Sequence, residues 1–368
     1  MSFVPPPYPY ERLDGIKKLA QRHEGGAIDC SIGTPVDPPF AGAMDELAKG
    51  TGARGYPASI GSNEYRLAAA HWMERRFEVT LDVEQVAACV GTKEFVASLA
   101  QYLHLRSPDR DVVLYPEISY PTYAMGATLA GLRAVPVPMN YGQLDLDAIA
   151  PSDAERALVL WSNSPSNPTG GLDDLEAAAA WGRRHDVLVV SDECYADFTW
   201  KGRPRSILEH GHDGVLALHS ISKRSNLAGV RAGFYGGDRE IVAFLRLVRQ
   251  HAGLMVPGPV QAAVIRAYAD DGHVDQQRER YRARLEMLGE ALSRFGIDAP
   301  FPDGAFYLWC SKEGLDGWQL AELIADQSGI VASPGELYGD AGAHYVRIAV
   351  VQPDEQLAVC ASRFTSLT

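Results

Sequence analysis

From about residue 85 to 236 the chain alternates short, continuous apolar runs with longer segments in which apolar side chains recur every three or four positions. The runs are VAACV (86–90), DVVLYP (111–116), ALVLWSN (157–163), VLVVSDE (187–193), VLALHSIS (215–222) and AGFYGG (232–237). Runs of this length, apolar throughout and separated by helical patterns, predict parallel strands covered by helices on both faces. After VAACV, a helix would carry Phe95, Leu99, Tyr102 and Leu103 on one face. The Ala-rich DDLEAAAAWGRRH (173–185) follows ALVLWSN in the same way.

Past residue 240 the texture changes. A long charged amphipathic helix is predicted near HVDQQRERYRARLEMLGEALSRFG (273–296), ending at Gly296. FPDGAFYLWC (301–310) and HYVRIAV (344–350) then read as strands around a helix at DGWQLAELIADQSG (316–329). The prediction is an α/β domain followed by a smaller α+β domain. The opening VPPPYPYERL (4–13) is rich in Pro and Tyr and predicts an extended arm whose partner is the small domain. The expected division is 1–38 for the arm and part of the small domain, 39–255 for the large domain, and 256–368 for the rest of the small one.

Composition narrows the function. With 368 residues, 46% of them hydrophobic and 22% charged, the chain is expected to hold roughly two globular domains. A net charge of -13 argues against broad binding to nucleic acid or an anionic membrane, but leaves room for a local basic pocket for a small anion. No apolar run approaches the roughly 20 residues of a membrane span, and MSFVPPPYPYERL has neither the basic nor the apolar region of a signal peptide. The five cysteines, Cys30, Cys89, Cys194, Cys310 and Cys360, are odd in number and form no C-x-x-C pair. That argues against a disulfide framework or a zinc site and for the cytoplasm. GTGARG (50–55) fits G-x-G-x-x-G, but a helical pattern precedes it and a proline follows it. A dinucleotide fingerprint needs a strand before it and a helix after it.

Ligands of an open parallel sheet bind beyond the carboxyl ends of its strands, so the polar residues that follow each run carry the chemistry. Gly91, Thr92 and Lys93 open a helix after VAACV, where free backbone N–H groups favour a phosphate; a plain Thr cap is the simpler explanation. Tyr120 and Tyr123 follow DVVLYP as a possible stacking face, or as ordinary core and surface residues. Asn163 precedes the turn SPSNPTG (164–170) and Asn167 lies within it, where capping a turn would also account for them. Asp192, Glu193 and Tyr195 follow VLVVS, and a carboxylate there needs a cation or a donor, from the protein or from a ligand. Ser220, Ser222 and Lys223 end VLALH, with Arg231 eight residues past the lysine; a lysine can instead snorkel to the surface. Together these residues supply a phosphate cradle, an aromatic ring, two amides, a carboxylate, a phenol and an amine. Pyridoxal 5'-phosphate (PLP) uses all of them: its aldehyde needs an amine, its ring nitrogen a carboxylate, its ring face an aromatic and its phosphate a helix N-terminus.

SNPTG, SDECY and SISKRSNLAGVRAGF, in that order, with YVRIAV near the C-terminus, resemble the class I/II aminotransferases of PLP fold type I. The resemblance covers nearly the whole chain. It implies a mostly parallel seven-stranded sheet in a large PLP-binding domain, a small domain built from both termini, and a homodimer acting on amino acids and 2-oxo acids. By the same resemblance, Lys223 would hold the cofactor aldehyde and later carry a proton, while Asp192 would face the pyridine nitrogen. Asn167 and Tyr195 would donate to the ring oxygen and Tyr120 would stack on the ring. Gly91, Thr92, Lys93, Ser220, Ser222 and Arg231 would hold the phosphate, joined by Tyr56 from the neighbouring subunit. Arg347 would clamp the substrate α-carboxylate, with Gly33 and Asn163 nearby.

The family's common GEPDF reads GTPVDP here (33–38). With GTKE (91–94), SKRSN (222–226) and PPYPYERL (6–13), it resembles the N-succinyldiaminopimelate aminotransferases of the actinobacterial type. That implies glutamate as donor and a place in lysine and diaminopimelate synthesis. Transamination of another amino acid such as aspartate, alanine or an aromatic one, and a β-lyase or decarboxylase on the same fold, remain open. A PLP-binding regulatory module remains open too, although this chain has no room for a DNA-binding domain ahead of IDCSIGTP (28–35).

Overall fold

The computed structural model describes residues 3–140 and 142–365. The chain forms two compact units, one of Asp37–Glu279 with Asp303–Ala305, the other of Met1–Val36, Arg280–Pro302 and Phe306–Thr368. The large unit runs past the boundary expected at residue 255. Helix Gly258–Tyr268 explains this, because its Ala263, Val264, Ala267 and Tyr268 are buried in the large unit's core.

The large unit holds a seven-stranded sheet: β1 (Val86–Cys89), β2 (Val112–Pro116), β3 (Arg133–Val137), β4 (Ala157–Asn163), β5 (Leu188–Asp192), β6 (Val215–Ser220) and β7 (Gly233–Gly237). Their spatial order is β1-β7-β6-β5-β4-β2-β3. Only β7 runs against its neighbours; every other pairing is parallel. This is the α/β architecture implied by the resemblance. Six strands coincide with the apolar runs, and alternate residues of those runs serve opposite faces. Leu160, Val189, Val215 and Ala217 pack with Trp72, Met73 and Phe77 of helix Asn63–Phe77. Val159, Trp161, Val190, Leu216 and Leu218 pack with Phe95, Leu99 and Leu103 of helix Thr92–Arg106. Both faces are covered, so these strands need no alternation of polar and apolar residues. The seventh, RAVPV, lies on an edge, where Pro136 breaks no interior ladder.

The small unit has a three-stranded antiparallel sheet in the order Tyr307–Ser311, Tyr345–Ala349, Ser333–Pro334. A separate parallel pair joins Ile28–Asp29 to Ile330–Val331. Helix Gly317–Ser328 starts at an Asp316/Gln319 capping box and stops at Gly329, whose φ is 67°. The N-terminal segment is extended only as far as Tyr8; Pro9–Leu13 is a 3-10 turn leading into helix Asp14–Ala20. Among the described residues no helix is long and apolar enough to cross a membrane, and no group of His, Cys, Asp or Glu could hold a metal ion. All five cysteines are free thiols.

Candidate active site

The apolar strands of the large sheet end in polar residues, and the register sets those residues side by side. Asn163 closes β4 opposite Asp192, which closes β5. Ser220 closes β6 opposite Gly233, and Gly233 pairs on its other side with Cys89, two residues before Gly91.

Asp192 is buried, only 7% exposed. Its Oδ2 accepts the Tyr123 hydroxyl at 2.9 Å and its Oδ1 accepts the Cys194 amide at 3.2 Å. Its carbonyl accepts from Asn163 Nδ2 at 2.8 Å. Burial pushes the carboxyl above its usual range, against the pull of the Cys194 and Tyr123 hydrogen bonds. These donors are neutral, so a cation brought to this carboxylate would relieve the cost of its burial. Asn163 Oδ1 in turn accepts the Asn167 amide at 2.8 Å, and both asparagines are buried. Ser164–Pro165 and Asn167–Pro168 in this turn are cis. Tyr195, three residues after Asp192, is buried as well.

The opposite end is built to receive an anion. Gly91 has φ 77° and ψ 150°, a conformation essentially reserved for glycine. A Cβ there would lie 2.2 Å from Nη2 of Arg231. The bare backbone therefore lets a guanidinium reach the start of helix Thr92–Arg106, where the first-turn N–H groups and the helix dipole add positive potential. Arg231 itself sits at φ 55° and donates from Nη1 to the Ala228 carbonyl at 2.8 Å. Ser220 and Ser222 are joined through their hydroxyls at 2.7 Å. Cys194 connects the two ends, its thiol donating to Thr92 Oγ1 at 3.5 Å while its amide holds Asp192.

Lys223 is half-buried, on the four-residue helix Ile221–Arg224 that follows Ser220. Arg224 beside it is 2% exposed; its Nε donates to Asp197 Oδ2 at 3.0 Å and its Nη1 to the Ala267 carbonyl at 2.8 Å. Tyr120 is half-buried, and its ring meets Tyr123 edge-on at 6.1 Å. Tyr123 also stacks on Trp161 at 5.0 Å. Lys93 is exposed on the first turn of its helix, and Tyr56 is 98% exposed.

Arg347 and Gly33 belong to the small unit. Arg347 is 1% exposed, and its Nη2 donates to the Ser31 carbonyl at 2.5 Å. Its guanidinium lies 4.3 Å from the ring centre of Tyr307 and 4.8 Å from that of Tyr338. Gly33 backs onto the same ring, for a Cβ there would come within 2.2 Å of the Tyr307 hydroxyl.

The sequence reading missed three participants. Tyr123, expected as a possible stacking face, donates to Asp192; its place at the start of helix Thr122–Leu129, just past an apolar run, was the available signal. Cys194 and the Arg224–Asp197 pair left none. What the large unit gathers is an amine, a buried carboxylate lacking a charged donor, buried amides and a phenol, and a glycine-lined cationic helix start. That donor set fits PLP.

Comparisons with known proteins agree in kind. The family described as Aminotransferase class I and II matches residues 28–364. A relative from Streptomyces rimosus, 4-dedimethylamino-4-oxo-anhydrotetracycline transaminase OxyQ, is 41% identical over 98% of this chain and 99% of its own length. An LL-diaminopimelate aminotransferase from Aquifex aeolicus is 33% identical over 99% of this chain and 97% of its own. A solved structure from Thermus thermophilus, described as a "probable N-succinyldiaminopimelate aminotransferase", superposes with a TM-score of 0.87 at 30% identity. It covers 98% of this chain and 100% of that one.

Proposed function

We propose, from the premise that this chain belongs to the class I and II aminotransferases, a PLP-dependent family, that it transfers the amino group of glutamate to N-succinyl-2-amino-6-oxopimelate, giving N-succinyl-LL-diaminopimelate. The observation that carries the transaminase chemistry is the amine of Lys223, on a serine-capped turn just past β6, in one strand-end set with the buried Asp192. PLP, when bound, withdraws electrons from the substrate α-carbon. Lys223 would hold the cofactor through its amine and would move a proton from the substrate α-carbon to the cofactor. Asp192 would face the ring nitrogen and keep it protonated, Tyr123 and Cys194 hold that carboxylate in place, and Asn167 and Tyr195 would donate to the ring oxygen. Tyr120 covers the ring face. Gly91, Thr92, Lys93, Ser220, Ser222 and Arg231 would hold the phosphate. Arg347, with Gly33 in the same unit, would receive the α-carboxylate as a bidentate pair, and Asn163 of the large unit is proposed as a further substrate residue. We further propose a cytoplasmic homodimer in which the exposed Tyr56 serves the neighbouring subunit's phosphate site.

The substrate reading is supported by the sequence segments GTPVDP, GTKE and SKRSN and by the likeness to diaminopimelate-linked enzymes. The OxyQ relative, matched end to end at 41% identity, favours a second reading, in which the acceptor is a bulky cyclic ketone. One panel separates them. With glutamate as donor, kcat/KM is measured for the succinylated acceptor, its acetylated and unmodified forms, oxaloacetate, pyruvate, phenylpyruvate and a polycyclic ketone. The succinylated acceptor should lead by tenfold or more. A lead by the polycyclic ketone would establish the second reading, and a lead by an aromatic or four-carbon acid would overturn both. Pyruvate and ammonia released without any acceptor would mark a lyase.

A further inference from the structure

Arg347 is a charge buried in the small unit, held by the Ser31 carbonyl and flanked by two aromatic rings. The rings of Tyr307 and Tyr338 lie 4.3 and 4.8 Å from it, close enough for cation–π attraction. A guanidinium that grips a carboxylate through two parallel bonds must keep its plane fixed, so the residues that fix Tyr338 bear on Arg347.

Tyr338 is fixed from two directions. Its hydroxyl donates to Ser333 Oγ at 3.2 Å, and Ser333 is the residue paired with Arg347 on the adjoining strand. Its single proton is thereby used. The hydroxyl of Tyr10 lies 3.1 Å from the Tyr338 hydroxyl, so Tyr10 supplies the proton of that second bond. The two rings meet edge-on at 6.5 Å. Two residues before Tyr338, Glu336 makes a second connection to the N-terminal segment. Its Oε1 accepts from Arg12 Nη2 at 3.0 Å and its Oε2 from Trp318 Nε1 at 2.8 Å, while Arg12 sits 4.7 Å over the Trp318 ring. The turn Pro9–Leu13 is thus fastened to Gly335–Tyr338 at two points, all within the small unit.

We infer that Pro9–Leu13 is a latch that sets the plane of Arg347 through Tyr338, with Tyr10 and Tyr338 as positioning residues for substrate carboxylates. The inference rests on the reading of Arg347 as the carboxylate clamp. It makes PYERL (9–13) part of the substrate machinery, although none of its side chains needs to touch substrate.

The test uses the cofactor-loaded enzyme and the variants Tyr10→Phe, Tyr338→Phe and Arg347→Lys. For each, KM and kcat for glutamate and for the 2-oxo acid are measured beside cofactor retention and thermal midpoint. Tyr10→Phe and Tyr338→Phe keep their rings and lose one neutral hydrogen bond each. Each should raise KM for both substrates by about 2–10-fold, the range of such a bond, with kcat, cofactor retention and midpoint close to wild type. If Arg347→Lys raises KM and the two Phe variants do not, the latch is refuted and the clamp stands. If Arg347→Lys leaves KM unchanged, the clamp reading fails and the latch with it. Phe variants that lower the thermal midpoint while KM stays constant would reduce the contact to a structural one and overturn the inference.

Discussion

Replacing Asp192 by asparagine tests whether this carboxylate serves the fold or the cofactor. Asparagine keeps the shape. Its oxygen can accept the Cys194 amide that Oδ1 accepts at 3.2 Å, and its NH₂ can face the Tyr123 hydroxyl, which sits 2.9 Å from Oδ2 and can turn to accept. The apo protein should therefore lose less than about 1 kcal/mol, the scale of one neutral hydrogen bond. It should even gain toward neutral pH. The folded carboxyl is raised by burial, so its contribution to stability is complete below the unfolded value of about 3.9 and is lost as pH climbs through the raised one. The variant has no such loss. With cofactor bound, the order reverses. A buried cation deprived of its partner costs about 3–5 kcal/mol, so turnover or cofactor affinity should fall roughly a hundred- to several-thousand-fold at 1.4 kcal/mol per decade. The assay is thermal melting of apo and loaded forms of both proteins between pH 4 and 8, with turnover measured alongside. An apo variant weakened by more than about 3 kcal/mol, the cost of breaking a buried ion pair, would make Asp192 a structural residue. Wild-type turnover would remove it from the cofactor altogether.

Asp197 should behave in the opposite way. Burial raises its carboxyl, but Arg224 and Arg76 outweigh burial and hold it below the usual range. Asp197→Asn should therefore destabilise even the apo protein, by about 3–5 kcal/mol. Because the folded value is lowered, the difference from wild type should be full above the unfolded value of about 3.9 and shrink as pH falls below it, which urea unfolding at pH 7 and pH 3 would check. Gly91→Ala should place a methyl where Nη2 of Arg231 would be 2.2 Å away and strain a backbone at φ 77°, costing about 1–3 kcal/mol. Arg231 is exposed and can swing aside, so the protein should fold, but phosphate and cofactor should bind more weakly by direct titration; unchanged affinity would remove Gly91 from the cradle.

How much of this was legible depended on whether a residue's role is local. Six strands could be read because each is buried on both faces and so apolar throughout. RAVPV could not, because an edge strand tolerates the exposed Arg133 and the proline. Helix Gly258–Tyr268 was assigned to the wrong domain because its partners, helices Ala41–Lys49 and Asn63–Phe77, lie about two hundred residues earlier in the chain. At the site, Asp192, Asn163 and Ser220 stood out as polar ends of apolar runs. Tyr123 did not, since its bond to Asp192 exists only because β2 and β5 both flank β4. Arg224 sits in a polar run and looks like surface, yet the fold buries it completely against Asp197, Trp72 and Tyr268.

That burial bears on the lysine beside it. A helix of four residues has no stability of its own, because nucleation is not repaid in so short a segment. Ile221–Arg224 must therefore be held by what surrounds it. Ser220 Oγ accepts the Ser222 amide at 3.0 Å and caps the turn, and Ile221 is fully buried. Arg224 fastens the far end to Asp197 and to the Ala267 carbonyl, with the rings of Trp72 and Tyr268 5.2 and 5.1 Å from its guanidinium. Ile221, Ser222 and Arg224 thus fix the backbone that carries the half-buried Lys223. In the role proposed for Lys223, an amine that holds the cofactor and carries a proton is served by a backbone fixed on both sides. In S-x-S-K-R the serines fix one side of that backbone and the arginine the other. A lysine at 224 would keep the charge but could neither span Asp197 and the Ala267 carbonyl with one planar fork nor stack on both rings.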